Sequence, residues 1–178
     1  MKNVFFFLAL IVLIVFASIS GFVFSQSPRP SPAPQTINSY EFFWPITAGK
    51  KEGDSLYFLK ILKENIRSAF IFDPFVRGDY EILLATKRII EAEELLKEGK
   101  ETLAETSFNK AYRSLLKASS VFEKMEKGTQ VRNRIELNDR LSRLNIFLPT
   151  LYGLTNEAGI KWINTIHDRV TYISNLIN

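Results

Sequence analysis

The sequence predicts an all-α protein: an antiparallel bundle of four to five helices behind an N-terminal transmembrane or signal helix and a proline-rich linker. Three observations carry this. Apolar residues recur at three- and four-residue steps from Asp54 to the last residues, the period of a helix with one buried face. No stretch of useful length alternates apolar and polar side chains, as a half-buried strand does. Val4–Phe24 contains only three non-apolar residues in 21, namely Ser18, Ser20 and Gly21. The 178 residues then divide into a leading apolar segment (1–24), a linker (25–39) and a helical domain (40–178), a size suited to one compact core with accessory segments.

As a helix, Val4–Phe24 spans roughly 31 Å, enough for the hydrocarbon core of a bilayer. Two readings are open. The length of the run favours an uncleaved anchor. Alternatively, Val4–Phe16 is the apolar core of a signal peptide behind Lys2, with Ala17, Ser18 and Ser20 supplying small residues for cleavage. Lys2 precedes the segment and Arg29 alone follows it closely, so the short amino end stays in the cytoplasm. Either way residues 25–178 are expected outside the cytoplasm: single-pass in the cell membrane, or secreted after cleavage. A lipoprotein is excluded, because there is no Cys to acylate.

Pro28, Pro30, Pro32 and Pro34 alternate strictly, which predicts extended polyproline-II chain serving as a semi-rigid spacer. Tyr40–Ile46 follows as an aromatic cluster, expected to lie across one end of the bundle rather than in a membrane interface. The first helix should start at an Asp54 or Ser55 cap and present Leu56, Leu59, Leu62, Ile66 and Phe70 on its apolar face. Asp73-Pro74 restarts the chain as cap and first helical residue. The second helix carries two adjacent stripes (Ile82, Ile89, Leu96 and Val76, Leu83, Ile90), so it should touch more than one neighbour before ending at Gly99. The third is the cleanest: Ala104, Phe108, Ala111, Tyr112, Leu115, Ala118, Phe122 and Met125, ending near Gly128. Segment 130–148 aligns Leu137, Leu141, Leu144 and Leu148 before Pro149. A last helix, capped by Asn156, carries Ile160, Ile163, Ile166, Val170, Ile173 and Ile177.

Leu56-Tyr57-Phe58-Leu59-Lys60 with Glu64, then Phe72-Asp73-Pro74, Lys87-Arg88-Ile89-Ile90-Glu91-Ala92-Glu93 and Leu95 to Gly99 occur in this order. Over about Asp54–Met125 the chain resembles a bacterial domain-of-unknown-function family, number 5667. The resemblance implies an exported helical domain and no known activity. The family often has Pro two residues before the Tyr, where this chain has Ser55.

Composition removes much chemistry. No Cys excludes thiol catalysis, disulfides and Cys-based metal sites, and one His (His167) removes most His-based metal sites and dyads. His167, beside the apolar face of the last helix, reads as a packed residue. After Gln35 there are 21 basic against 19 acidic residues, which predicts no nucleic-acid partner. Glu91, Glu93, Glu94, Glu98 and Glu101, interleaved with Lys97 and Lys100, read as a solvated helix face. Arg132, Arg134, Arg140 and Arg143 read as a face salt-bridged through Glu136 and Asp139, with an anionic polymer or headgroup as the rival. Tyr57, Lys60, Glu64, Arg88 and Glu91 are the polar residues of the shared motifs. They are expected as surface ion pairs, Lys60 with Glu64 at i,i+4 and Arg88 bridging to a neighbour, or else as a small polar site between the first two helices.

No catalytic, cofactor-binding or metal-binding residues are therefore assigned, and no cofactor is expected. The expected function is a membrane-tethered extracytoplasmic domain, held to the membrane by residues 4–24 if uncleaved, that is no enzyme and acts in interaction or envelope structure with an envelope protein or polymer. The alternatives are a secreted module binding a small ligand or anionic envelope polymer, and an exported hydrolase.

Overall fold

In the computed structural model, which describes residues 39–125 and 131–178, every regular element is helical. A short α1 (Ser39–Phe43) precedes five longer helices: α2 (Tyr57–Ala69), α3 (Pro74–Lys97), α4 (Glu101–Phe122), α5 (Val131–Phe147) and α6 (Glu157–Ile177). A 3-10 segment, Leu148–Leu154, joins the last two. The expected apolar segment Val4–Phe24 and nearly all of the linker lie outside the described residues. Among the described residues no helix is long and apolar enough to cross a membrane.

α3 is the central helix, buried around most of its circumference. Its start is set by Asp73, whose Oδ1 accepts from the Val76 amide at 2.9 Å with Pro74 at the first helical position. Its end is a Gly99 turn with φ +70°. There the Gly99 amide donates to the Leu96 carbonyl (2.9 Å) and the Lys100 amide to that of Leu95 (2.8 Å), a Schellman closure that turns the chain directly into α4. Alanines at 85, 92, 104, 111 and 118 are all fully buried, so the two helices lie close along their length. Gly78 leaves room for the Phe122 ring, which a Cβ there would meet at 2.5 Å.

The third stripe behaves as its spacing predicts. Ala104, Phe108, Ala111, Leu115, Ala118 and Phe122 are buried. α6 packs on α4 and α5 on α6, through Ile163, Ile166, Val170, Ile173 and Ile177 against Leu137, Leu141, Leu144 and Phe147, all core residues. Asn156 caps α6, accepting from Gly159 N at 3.0 Å. The aromatic segment lies on this core as expected: Phe43 is buried with its ring edge-on to Phe147 (centroids 5.3 Å apart), while Tyr40 and Trp44 stay exposed.

α2 departs from its pattern. Neither Asp54 nor Ser55 caps it. Leu56 occupies the cap position with φ +66° and no side-chain hydrogen bond, while the Asp54 carboxylate accepts from Lys51 N at 2.7 Å. More consequentially, its apolar face points outward. Leu56, Leu59, Leu62, Ile66 and Phe70 are all exposed, and its buried residues are Tyr57 and Glu64.

Candidate functional site

Tyr57, Lys60 and Glu64 recur at helical steps, so α2 aligns them on one face; Arg88 and Glu91, one turn apart, do the same on α3. The two faces meet. The Arg88 guanidinium bridges both helices, donating through one nitrogen to Glu64 Oε2 and through the other to Glu91 Oε1. The Lys60 ammonium donates to the same Glu91 oxygen and to the backbone carbonyls of Ala48 and Lys50, the last at 2.7 Å. The Tyr57 hydroxyl donates to Glu91 Oε2 at 3.1 Å. From α4, Lys110 places its ammonium 4.7 Å from the Tyr57 ring centre and pairs with Glu52, a favourable cation–π position.

All five motif residues thus converge, and the expectation of surface pairs is corrected. Lys60 and Glu64 do not pair with each other; each reaches a different partner on α3. Glu91 is 0% and Glu64 6% exposed, so these are interior charges, in an environment where an uncompensated one is expensive. Compensation is nearly complete. Two carboxylates face two cations, Glu91 accepts three hydrogen bonds, and the three Lys60 protons have three acceptors. Glu64 Oε1 is the exception, without a partner among the described residues.

The electrostatics follow from this burial. Burial first, then the Glu91 charge, pushes the Tyr57 hydroxyl well above its ordinary range and holds it neutral. Burial pulls the Lys60 ammonium down, against the hydrogen bond and charge of Glu91. Burial also disfavours the Arg88 cation, but Glu91 and Glu64 outweigh it and raise its pKa. Chemically, the arrangement couples two helices through an ionic tie. All three Lys60 protons and two Arg88 nitrogens are engaged within it or by neighbouring carbonyls, while Glu64 Oε1 is left without a partner among the described residues.

Other candidates are separated from this cluster. His167 is half-buried on α6. Glu93 is buried and pairs with Lys97 at 2.7 Å, so the acidic run is no uniformly solvated face. Arg143 pairs with Asp139 as expected, whereas Arg140 reaches across to Asp79 on α3 and Arg134 donates to the Ile177 carbonyl at 3.0 Å. Among the described residues no group of three or more His, Asp or Glu could hold a metal ion.

The ionic tie, α3 and the α3–α4 hairpin all fall inside one stretch, residues 52–146, matched by the family model described as domain of unknown function DUF5667. The chain belongs to this family. The DUF5667 match runs past the motif-bearing stretch and nearly to the end of α5. It stops before α6, although α6 supplies five of the core residues that close the bundle. No curated protein and no solved structure matches the chain.

Sequence reasoning named the five cluster residues but missed Lys110, Glu52 and the Asp79–Arg140 pair. Their partners lie 53 to 61 positions away, and no local spacing reports such a contact. The outward turn of α2 did leave a signal. Its Tyr57–Lys60–Glu64 stripe has the same helical period as its apolar stripe, with complementary charges at Arg88 and Glu91.

Proposed function

We propose that this DUF5667 protein is a membrane-tethered, extracytoplasmic helical domain that acts by docking and not by catalysis. One observation carries the reading: α2 is held with its polar face inward by a buried ion network and its apolar face turned out to solvent. A monomer that needed only stability would bury that face, since covering a Leu, Ile or Phe side chain contributes roughly 1.5–3 kcal/mol. An apolar patch kept exposed on a fixed helix marks an interaction surface. The apolar segment Val4–Phe24 and the proline spacer support the tethered placement, and the engagement of Tyr57, Lys60 and Arg88 by Glu91 argues against turnover there.

The test places a photo-crosslinking residue at Leu62, with Lys161 on the exposed face of α6 as control, in cells whose membranes are then fractionated. Docking predicts adducts at 62 that are lacking at 161, in a chain that stays with membranes after alkaline washing. No adducts at 62 would overturn the docking role. Saturable turnover of peptidoglycan fragments, polysaccharides or phosphate esters, abolished by Glu91→Gln in a folded protein, would overturn the non-enzyme reading.

A further inference from the structure

The outward face of α2 has a definite chemistry. Phe58 is 64%, Leu62 51%, Ile66 52% and Phe70 72% exposed, and Phe72 just beyond the helix is 86% exposed. Along one edge of this stripe run Lys63 and Arg67, both exposed. The one acidic residue of α2, Glu64, is buried and bound to Arg88. The helix therefore shows solvent an apolar strip with aromatic rings toward both ends and one cationic edge, on which the Arg67 guanidinium also lies over the Tyr80 ring of α3. That is the composition of a helix lying in the plane of a bilayer, its apolar side among acyl chains and its basic side at anionic headgroups.

We infer that α2 docks on an anionic lipid surface. The inference rests on the tethered reading for its proximity, since the 14 residues between Phe24 and Ser39 reach roughly 43 Å as extended chain and would hold the domain at the surface. The charge pattern disfavours a second copy of the chain. A symmetric contact through this stripe would bring Lys63 and Arg67 together with no exposed carboxylate of α2 to answer them.

The absence of cysteine from the sequence makes the test direct. Full-length chains carrying Leu62→Cys, Ile66→Cys or the control Lys161→Cys are labelled with an environment-sensitive fluorophore and reconstituted into phosphatidylglycerol–phosphatidylcholine vesicles containing doxyl-quencher lipids. All three positions are exposed, so folding is retained. The expected result is a blue shift and lipid quenching at 62 and 66, lacking at 161. The signal should weaken with Lys63→Gln and in vesicles of phosphatidylcholine alone. Water-like emission at 62 and 66, in a chain that remains with the vesicles, overturns the inference. So does an apolar shift without lipid quenching, or disulfide crosslinks between unlabelled Leu62→Cys copies. Alkaline washing reads the tether separately. Chains released by alkali but quenched at 62 and 66 at neutral pH would refute the tethered placement and leave the lipid-docking helix standing.

Discussion

Replacing Arg88 with methionine should free α2 while leaving the rest of the bundle folded. In the wild type this guanidinium is the cation partner of Glu64 and one of two for Glu91. Methionine keeps much of the side-chain volume but strands the Glu64 carboxylate in the interior. Removing one member of a buried ion pair costs about 3–5 kcal/mol. α2 has few other buried groups, with Tyr57 and Glu64 alone among its 13 residues. The cheapest response is therefore local opening of α2 and not global unfolding. At about 1.4 kcal/mol per tenfold, amide exchange within 57–69 should accelerate by roughly 100- to 4,000-fold. Exchange in α4, whose stripe from Ala104 to Phe122 is buried elsewhere, should change little. Hydrogen-exchange mass spectrometry resolves the two peptides. Adding Glu64→Leu to Arg88→Met removes the stranded charge and should restore much of the protection, because replacing both partners by apolar groups is often neutral. Unchanged exchange in α2, or equal loss of protection in α2 and α4, would refute the reasoning.

Three further outcomes are expected. Gly78→Ala should destabilise by about 1–3 kcal/mol, because its Cβ would strike the Phe122 ring; a lowered Tm that recovers on adding Phe122→Leu is the check. Phe108→Ala should cost about 3–5 kcal/mol in denaturant unfolding, since its ring is fully buried between helices; a loss below about 0.5 kcal/mol would remove α4 from the core. The raised Tyr57 pKa predicts alkaline sensitivity. The hydroxyl stays neutral in the folded chain while the unfolded one ionises near its ordinary value of 10.0. Its stabilisation is therefore present below about pH 10 and is lost as pH rises further. Tyr57→Phe should flatten that decline, and a chemical-denaturation series at rising pH with an unchanged slope would count against the buried hydroxyl.

The sequence by itself determined the helical class, most boundaries and most of the core of α3 to α6, although Val76 of the expected α3 stripe lies exposed. Asp73-Pro74, Gly99 and Asn156 act within one turn of chain, where capping chemistry is local, and stripes such as Ala104 to Phe122 need only a neighbour to cover them. It also singled out Tyr57, Lys60, Glu64, Arg88 and Glu91 as the polar residues of the shared motifs, though as surface pairs. What it left undecided is which of two stripes on α2 turns inward. Apolar Leu59–Leu62–Ile66 and polar Tyr57–Lys60–Glu64 share one period, and the hydrophobic effect alone would bury the first. The tertiary structure decides for the second because α3 presents Arg88 to Glu64 and Glu91 to Lys60, while α4 sets Lys110 over the Tyr57 ring. That match depends on residues 24 or more positions apart. Periodicity registers such a pattern on each helix but not the pairing between them, so the outward apolar face became visible only once the helices were in place.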